Sequence, residues 1–339
     1  MKLTYILLLS VLANSAFASD FNSYMNEGIK FHDSGKFEQA EQAYLKALEI
    51  EPNNIYAQYE LAFSYMVNQK NEECIATATK ILGQESQLKT KIIIALGSCY
   101  SQASQTQKAI SVFNDGLKQD PTDAVLHLNF AVTLANIQRE KEAIMHLKRA
   151  IENSDNYASP YFYLAELYRT TNYKIPALFF YTKFILLEPN TRRSRVAAKH
   201  INIILFEGYE KSKSGGLTIS LDKNAPKDEG DFLSIELLMP IAASEAKTED
   251  NLLLLSEAEQ FARALTKVIK IASELEDKNY MDSFTGKHAI EDVLFLQKYN
   301  VLKTYAFYIA SKANMEGAEI WLNENDQKFK EMVAAIKAL

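Results

Sequence analysis

Apolar residues recur at spacings of three and four along the first half of the chain, in a pattern that repeats about every 34 residues. Such spacing puts apolar side chains on one face of a helix, so each block predicts two amphipathic helices joined by a turn. The blocks are 21–54, 55–88, 90–123, 124–157 and 158–191, with Lys89 as one extra residue. Because an internal period of this length is typical of a solenoid, we predict stacked helix pairs throughout this region.

The blocks share small residues at fixed positions in both helices, which would allow the helices of a block to approach closely. In the first helix these are Gly28, Ala62, Gly97, Ala131 and Ala165, and in the second Ala40, Cys74, Ala109, Ala143 and Ala177. Pro52, Pro121 and Pro189 are predicted to end the second helix, because proline has no N–H to donate. This pattern resembles the tetratricopeptide repeat (TPR). The resemblance implies an all-α superhelical TPR solenoid of about five repeats over 21–191.

The first helices of the repeats are expected to line a concave groove. Some TPR proteins hold a peptide's C-terminal carboxylate there through Lys, Arg and Asn side chains. Met25 and Ile29 stand where that set would need Lys and Asn, so the resemblance does not extend to carboxylate binding. Apolar and aromatic residues instead predict a strip, which consists of Met25, Ile29, Tyr56, Tyr59, Phe63, Met66, Ile94, Leu128, Val132 and Phe162. An exposed strip of this kind is typical of a binding surface; alternatively, the chain's own C-terminal half or neighbouring helices cover it.

The repeat pattern is lost after residue 191. Residues 192–210 predict a helix that caps the solenoid, and 211–231 predict a linker in which Leu217–Leu221 form either a small strand or an extended arm. Arg192, Arg193 and Arg195 form a basic cluster, for which a solvated helix face is favoured over an anion site. Residues 232–339 predict a helical bundle with segments near 232–246, 250–275, 288–312 and 316–338.

The amino terminus predicts export. Lys2, the apolar run 6–12 and the small-x-small sequence ending at Ala18 indicate a signal peptide over 1–18, cleaved before Ser19. We therefore expect a periplasmic or secreted protein, with no further membrane segment. Export would permit a disulfide between Cys74 and Cys99, although two buried free thiols are the favoured interpretation.

Composition and motifs do not indicate catalysis. The net charge of −6 argues against non-specific nucleic-acid binding, which needs a basic surface. The five histidines are scattered, and the sequence contains no motif for metal binding, phosphate binding or nucleophilic catalysis. Glu166 and Arg169 are expected to pair with each other. We therefore expect no cofactor, no metal and no enzymatic activity.

Three functions are compatible with these patterns. The leading hypothesis is an interaction scaffold whose groove binds an apolar or amphipathic segment of an envelope protein. The second is a structural or oligomeric protein whose groove is filled by its own C-terminal bundle. The third is a small-ligand or hydrolase activity in 232–339. The combination of signal peptide, repeats and the LTISLD, DEGDF and YMDSFTG segments is similar to exported bacterial repeat proteins with a helical C-terminal domain. That resemblance implies an envelope location and supplies no activity.

Overall fold

The computed structural model describes residues 20–84, 86–206, 209–211, 217–219, 229–247, 255–275 and 279–338. The predicted signal peptide and most of the predicted linker lie outside these ranges. The described chain is almost entirely helical, as the sequence predicts. It contains one short hairpin, in which β1 (Tyr209–Lys211) pairs antiparallel with β2 (Leu217–Ile219), so that Tyr209 faces Ile219. The predicted strand is therefore confirmed over 217–219.

Every predicted repeat contains two helices. The helices are α1 (20–33), α2 (Phe37–Ile50), α3 (Ile55–Val67), α4 (Asn71–Leu82), α5 (Lys89–Gln102), α6 (Thr106–Gln119), α7 (Ala124–Asn136), α8 (Glu140–Asn153), α9 (Ala158–Thr170) and α10 (Lys174–Leu187). The helices α2, α6 and α10 end just before the prolines that predicted their ends. Asn54 and Asp123 begin α3 and α7, because each side chain accepts two backbone N–H bonds from the first turn.

The turn inside each repeat has the same backbone geometry. One residue of each turn has a positive φ, and these residues are Gly35, Gln69, Ser104, Gln138 and Asn172. In the first repeat the following N–H, of Lys36, returns to the carbonyl of Phe31 at 2.8 Å. The equivalent bond recurs in each later repeat, for example from Lys70 to Tyr65 at 2.9 Å. This left-handed ending satisfies a free carbonyl of the first helix and reverses the chain into the second.

The chain divides into two compact units, Met1–His146 and Leu147–Leu339, and the division falls within α8. In the first unit, buried side chains fill the space between successive helices. One cluster joins α3, α4 and α5, and its buried members are Tyr59, Ala62, Ala78, Ile81, Leu88, Ile92 and Leu96. The predicted domain boundary at 211–231 stays a prediction.

In the second unit, α10 is buried almost all round and forms the centre of the core. It packs against α9 and against α11 (Arg192–Phe206), the helix predicted to cap the solenoid. The Tyr305 hydroxyl donates to the carbonyl of Thr182 at 2.8 Å, and Lys183 pairs with Asp292 at 2.6 Å. The last repeat therefore shares its core with the C-terminal helices.

The C-terminal half contains more helices than the four segments that the sequence predicts. They are α12 (Leu233–Lys247), α13 (Glu257–Glu274), α14 (Glu291–Lys298), α15 (Leu302–Lys312), α16 (Ala318–Glu324) and α17 (Asp326–Ile336), with a 3₁₀ turn at Asn279–Asp282 and a π turn at Gly286–Ile290. The predictions of one continuous helix over 288–312 and another over 316–338 are wrong, because each segment is divided in the structure. Asn300, with φ of 57°, separates α14 from α15, and Asn325 separates α16 from α17.

Candidate functional site

The predicted strip is only partly exposed. In the first unit, Ile29 and Tyr56 are 43% and 53% exposed. Tyr59 and Leu128, at 9% and 6%, belong to the core. The half-buried members are Met25, Phe63, Met66, Ile94 and Val132. The members of the strip that remain exposed in the first unit are therefore on α1 and α3.

Aromatic rings surround the exposed part of α3. The ring of His32 lies 5.2 Å from that of Phe63 and 5.4 Å from that of Phe37. Phe63 lies 6.4 Å from Tyr59, and the Lys91 ammonium lies 5.9 Å from the centre of the Tyr59 ring. Side chains from α1, α3 and α5 thus converge on this surface, as the stacking of first helices predicts.

Glu60 is a half-buried carboxylate on this surface that was not predicted as a site residue. Burial raises the pKa of Glu60 above its ordinary value, and the charges of His32 and Lys91 offset only part of this rise. Burial, followed by the Glu60 charge, raises the pKa of Tyr59 to about 12. The available sequence signal was its spacing, because Glu60 stands four residues after Tyr56 and three before Phe63 on the same helix.

Phe162, the remaining predicted strip residue, lies in the second unit. It is half-buried, and its ring lies 5.0 Å from that of Phe184. The Arg193 guanidinium covers both rings, ion-pairs with Glu188 and donates to the Ser159 hydroxyl at 3.0 Å. Arg193 is thus engaged in packing.

Arg192 and Arg195, the other members of the predicted anion patch, are exposed on α11. Because Arg193 is turned to Glu188, the structure does not gather the three arginines around one site. The anion patch stays a prediction.

The predicted pair of Glu166 and Arg169 is present, with 3.3 Å between Nη2 and the carboxylate. The same carboxylate accepts a bond from the Tyr181 hydroxyl at 2.7 Å and lies 2.9 Å from Nδ1 of His200. Burial raises the pKa of Glu166, but the bonds from His200, Tyr181 and Arg169 outweigh it and leave that pKa lowered. The group links α9, α10 and α11.

Two histidines that are distant in sequence meet in the first unit. His127 of α7 and His146 of α8 are both buried, with their Nδ1 atoms 2.8 Å apart. Nε2 of His127 lies 3.0 Å from the carbonyl of Pro121, to which it must donate. Nδ1 of a neutral His127 therefore accepts from His146. Burial, then the neighbouring His127, lowers the pKa of His146 to about 4. The scattered histidines of the sequence include a contacting pair that only the fold reveals.

Cys74 and Cys99 are joined by a disulfide between α4 and α5, with 6.3 Å between their Cα atoms. Both side chains are fully buried. The structure therefore contains the pairing that was the less favoured interpretation of the sequence, and the interpretation as two free thiols is wrong for this structure. Cys74 lies on the second helix of the second repeat and Cys99 on the first helix of the third, and the packing of these adjacent repeats brings the two thiols together.

The described ranges offer little further chemistry. These residues contain no group of three or more His, Cys, Asp or Glu side chains placed to hold a metal ion. Among the helices that the structure describes, none is both long and apolar enough to cross a membrane. A cleft of about 410 Å³ in the second unit is lined by Thr266, Lys267, Lys270, Gln297, Asn300, Leu302 and Lys303.

A family model described as TPR repeat matches residues 28–69, which run from the end of α1 through α2 and α3. The amino-terminal helices have a TPR-like helical repeat arrangement. The model covers a small part of the chain, and the remaining repeats rest on their helix pairs and left-handed turns.

Curated relatives match only through part of their length. Anaphase-promoting complex subunit 3 of Dictyostelium discoideum is 29% identical over 93 residues, 27% of this chain and 10% of that protein. Protein O-mannosyl-transferase TMTC3 of Homo sapiens is 26% identical over 166 residues, 46% of this chain and 17% of that protein. The chain thus spans less than a fifth of the length of either relative. Neither match carries over that protein's activity.

A solved thermophilic TPR protein from Thermus thermophilus aligns with 54% of this chain and 99% of its own. The identity is 20% and the TM-score is 0.49. At this level the likeness says nothing about what this chain binds.

Proposed function

We propose that this protein is a non-enzymatic interaction scaffold that binds an apolar or amphipathic segment of another protein on the first-helix surface of its first unit. The observation that carries this is the exposure of Ile29 on α1 and Tyr56 on α3, the two helices whose half-buried rings of His32 and Phe63 lie 5.2 Å apart. Large apolar side chains that stay exposed together on one face are typical of a binding surface. TPR solenoids present such first-helix surfaces to protein segments.

The surface can be tested by photo-crosslinking in cells. A photoreactive amino acid replaces Tyr56, and in a matched control it replaces Met145, which is 49% exposed on α8, a second helix of the same unit. We expect a discrete crosslinked protein at position 56 that is absent at position 145 and is lost when Ile29→Ser is added. Crosslinks from position 56 to residues 232–339 of the same chain would instead favour the structural alternative. Equal patterns at both positions would contradict the proposal.

Substituting Tyr59, which the sequence placed in the strip, is a poor test of binding. Its side chain is 9% exposed and packs with Ala62, Ile81 and Leu96 in the core cluster of α3 to α5. A polar replacement there would lower the free energy of unfolding by several kcal/mol, about 3 or more for an aromatic truncated in a core. Ile29 and Tyr56 are the residues to change.

We further propose that the chain is exported to the bacterial envelope or secreted. Support comes from the signal-like residues 1–18 and from the buried disulfide, because disulfides persist in oxidising compartments. Cell fractionation and amino-terminal sequencing of the mature protein test this. We expect a mature chain that begins at Ser19, and a cytosolic, uncleaved chain with free thiols would contradict the proposal.

A second candidate function is the binding of a small anion in the cleft of the second unit. The cleft presents Lys267, Lys270 and Lys303 together with the amides of Gln297 and Asn300. Lys267 is paired with Glu245 and Lys303 with Glu259, so an anion would have to compete with these carboxylates. Thermal-shift measurements with phosphate, pyrophosphate and citrate test this function. A rise in Tm that Lys303→Gln abolishes would support it.

A further inference from the structure

Glu60 stands at the centre of the exposed surface on α3. Tyr56 precedes it by one helical turn and Phe63 follows it by nearly one, so the three side chains share a face. The ring of His32, from α1, lies 5.2 Å from that of Phe63, and the Lys91 ammonium, from α5, lies 5.9 Å from the centre of the Tyr59 ring. Side chains of the first and third repeats thus approach the residues around Glu60, and the charges of His32 and Lys91 act to lower its pKa. The carboxylate therefore lies among the side chains that would contact a bound segment.

The Glu60 carboxylate has no direct partner in the part of the chain that the structure describes. It accepts no hydrogen bond, and no ammonium, guanidinium or imidazole nitrogen lies within 4.0 Å of it. His32 is turned to Asp33, with 3.4 Å between Nδ1 and Oδ1, and Lys91 lies over the ring of Tyr59. The half-buried carboxylate thus keeps its acceptor sites open to a donor from outside the chain.

We propose that Glu60, with Tyr56 and Phe63 on the same face of α3, binds a Lys or Arg side chain of the segment held on this surface. The inference rests on the proposed function and names the charge of its partner. A Lys or Arg stem can lie along the aromatic rings while its cationic end reaches the carboxylate. The group bound here would be a cation, whereas TPR proteins that hold a peptide's C-terminal carboxylate bind an anion.

Peptide selection tests this preference. A random linear peptide library displayed on phage is selected on the immobilised full-length wild-type chain (hereafter the full chain). The Glu60→Gln and Glu49→Gln variants are used in parallel selections. Glu49 is exposed on α2, a second helix, so its substitution makes the same change of charge away from the surface. We expect the full chain and Glu49→Gln to enrich peptides in which Lys or Arg is flanked by apolar residues. Glu60→Gln should lose the preference for the basic residue.

The affinity of one enriched peptide, synthesised with a fluorophore, gives the magnitude. We expect Glu60→Gln to weaken its binding by roughly 10-fold or more, as expected for the loss of a charge-assisted hydrogen bond. Glu49→Gln should leave the Kd unchanged. Replacing the basic residue of the peptide by Gln should weaken its binding to the wild-type chain and to Glu49→Gln, but not to Glu60→Gln. Without peptide, Glu60→Gln should raise the Tm, because it removes an unpaired carboxylate.

The outcomes separate the inference from the proposed function. Enriched apolar peptides without a basic residue, or equal Kd values for the full chain and Glu60→Gln, would overturn the inference and leave the proposed function standing. No enrichment on the full chain would overturn both. Circular dichroism of each variant shows whether it is folded.

Discussion

The buried pair of His127 and His146 predicts that acid weakens the first unit. An isolated histidine titrates near pH 6.5, whereas burial and the neighbouring ring lower the pKa of His146 to about 4. The unfolded chain therefore takes up a proton at His146 at a higher pH than the folded chain does. Stability is complete above about pH 6.5 and is lost as the pH falls towards about 4. A difference of roughly 2.5 pH units corresponds to about 3 kcal/mol.

Replacing His146 by Gln isolates this contribution. The amide of Gln can donate to Nδ1 of His127 as the imidazole does at 2.8 Å, but it does not titrate. The free energy of unfolding is measured by urea denaturation of both proteins at about pH 7.5 and about pH 4.5. Burial also lowers the pKa of His288 in the second unit, so other groups act in the same direction. The difference between the two proteins at each pH removes that background.

We expect the wild type to lose about 2–3 kcal/mol more than His146→Gln between the two pH values. At the higher pH, His146 is neutral in both the folded and the unfolded chain. The difference in the free energy of unfolding between the two proteins at that pH therefore measures only how well Gln fits the site. If the two proteins lose the same free energy on acidification, then His146 does not titrate below its ordinary range, and the buried pair is not what makes the first unit acid-sensitive.

Other predictions concern the packing of the first unit. Gly97→Ala would place a Cβ 2.4 Å from the ring of Phe113, so we expect a loss of about 1–3 kcal/mol in urea denaturation. The control Gly83→Ala meets no atom within 4 Å, and a similar loss there would contradict this explanation. Removing the disulfide by replacing Cys74 and Cys99 with Ala should cost about 3–4 kcal/mol, because the bond closes a sequence separation of 25 residues. Free thiols in the denatured, unreduced wild type would refute the pairing.

The helix pairs of the repeats could be predicted because their signals are local. Each block carries its own apolar spacing, small residues and terminal prolines, and these set where α1 to α10 begin and end. The C-terminal helices were predicted less well. Asn300 and Asn325 interrupt segments whose apolar spacing continues through them, and an asparagine gives only a weak signal that a helix ends there.

The candidate surface was predicted only in outline. Helical spacing placed Tyr56 and Tyr59 on the same face, but spacing does not tell which of them a neighbouring helix covers. Contacts with α4 and α5 bury Tyr59, whereas Tyr56 remains exposed. Glu60 was overlooked because a charged residue on a helix is usually solvated, and its lack of a partner is a property of the packing.

The sequence by itself determined the repeat, its helix pairs and the small positions at which the two helices of a repeat approach each other. Gly28 and Gly97 face Tyr44 and Phe113 across their own repeats, at a separation that helical geometry fixes within one block. Only the tertiary structure decided which groups from different helices meet: the disulfide, the histidine pair and the unpartnered carboxylate of Glu60. The physical reason is that apolar periodicity sets the faces of a helix, whereas the pairing of polar groups depends on how neighbouring helices align in space.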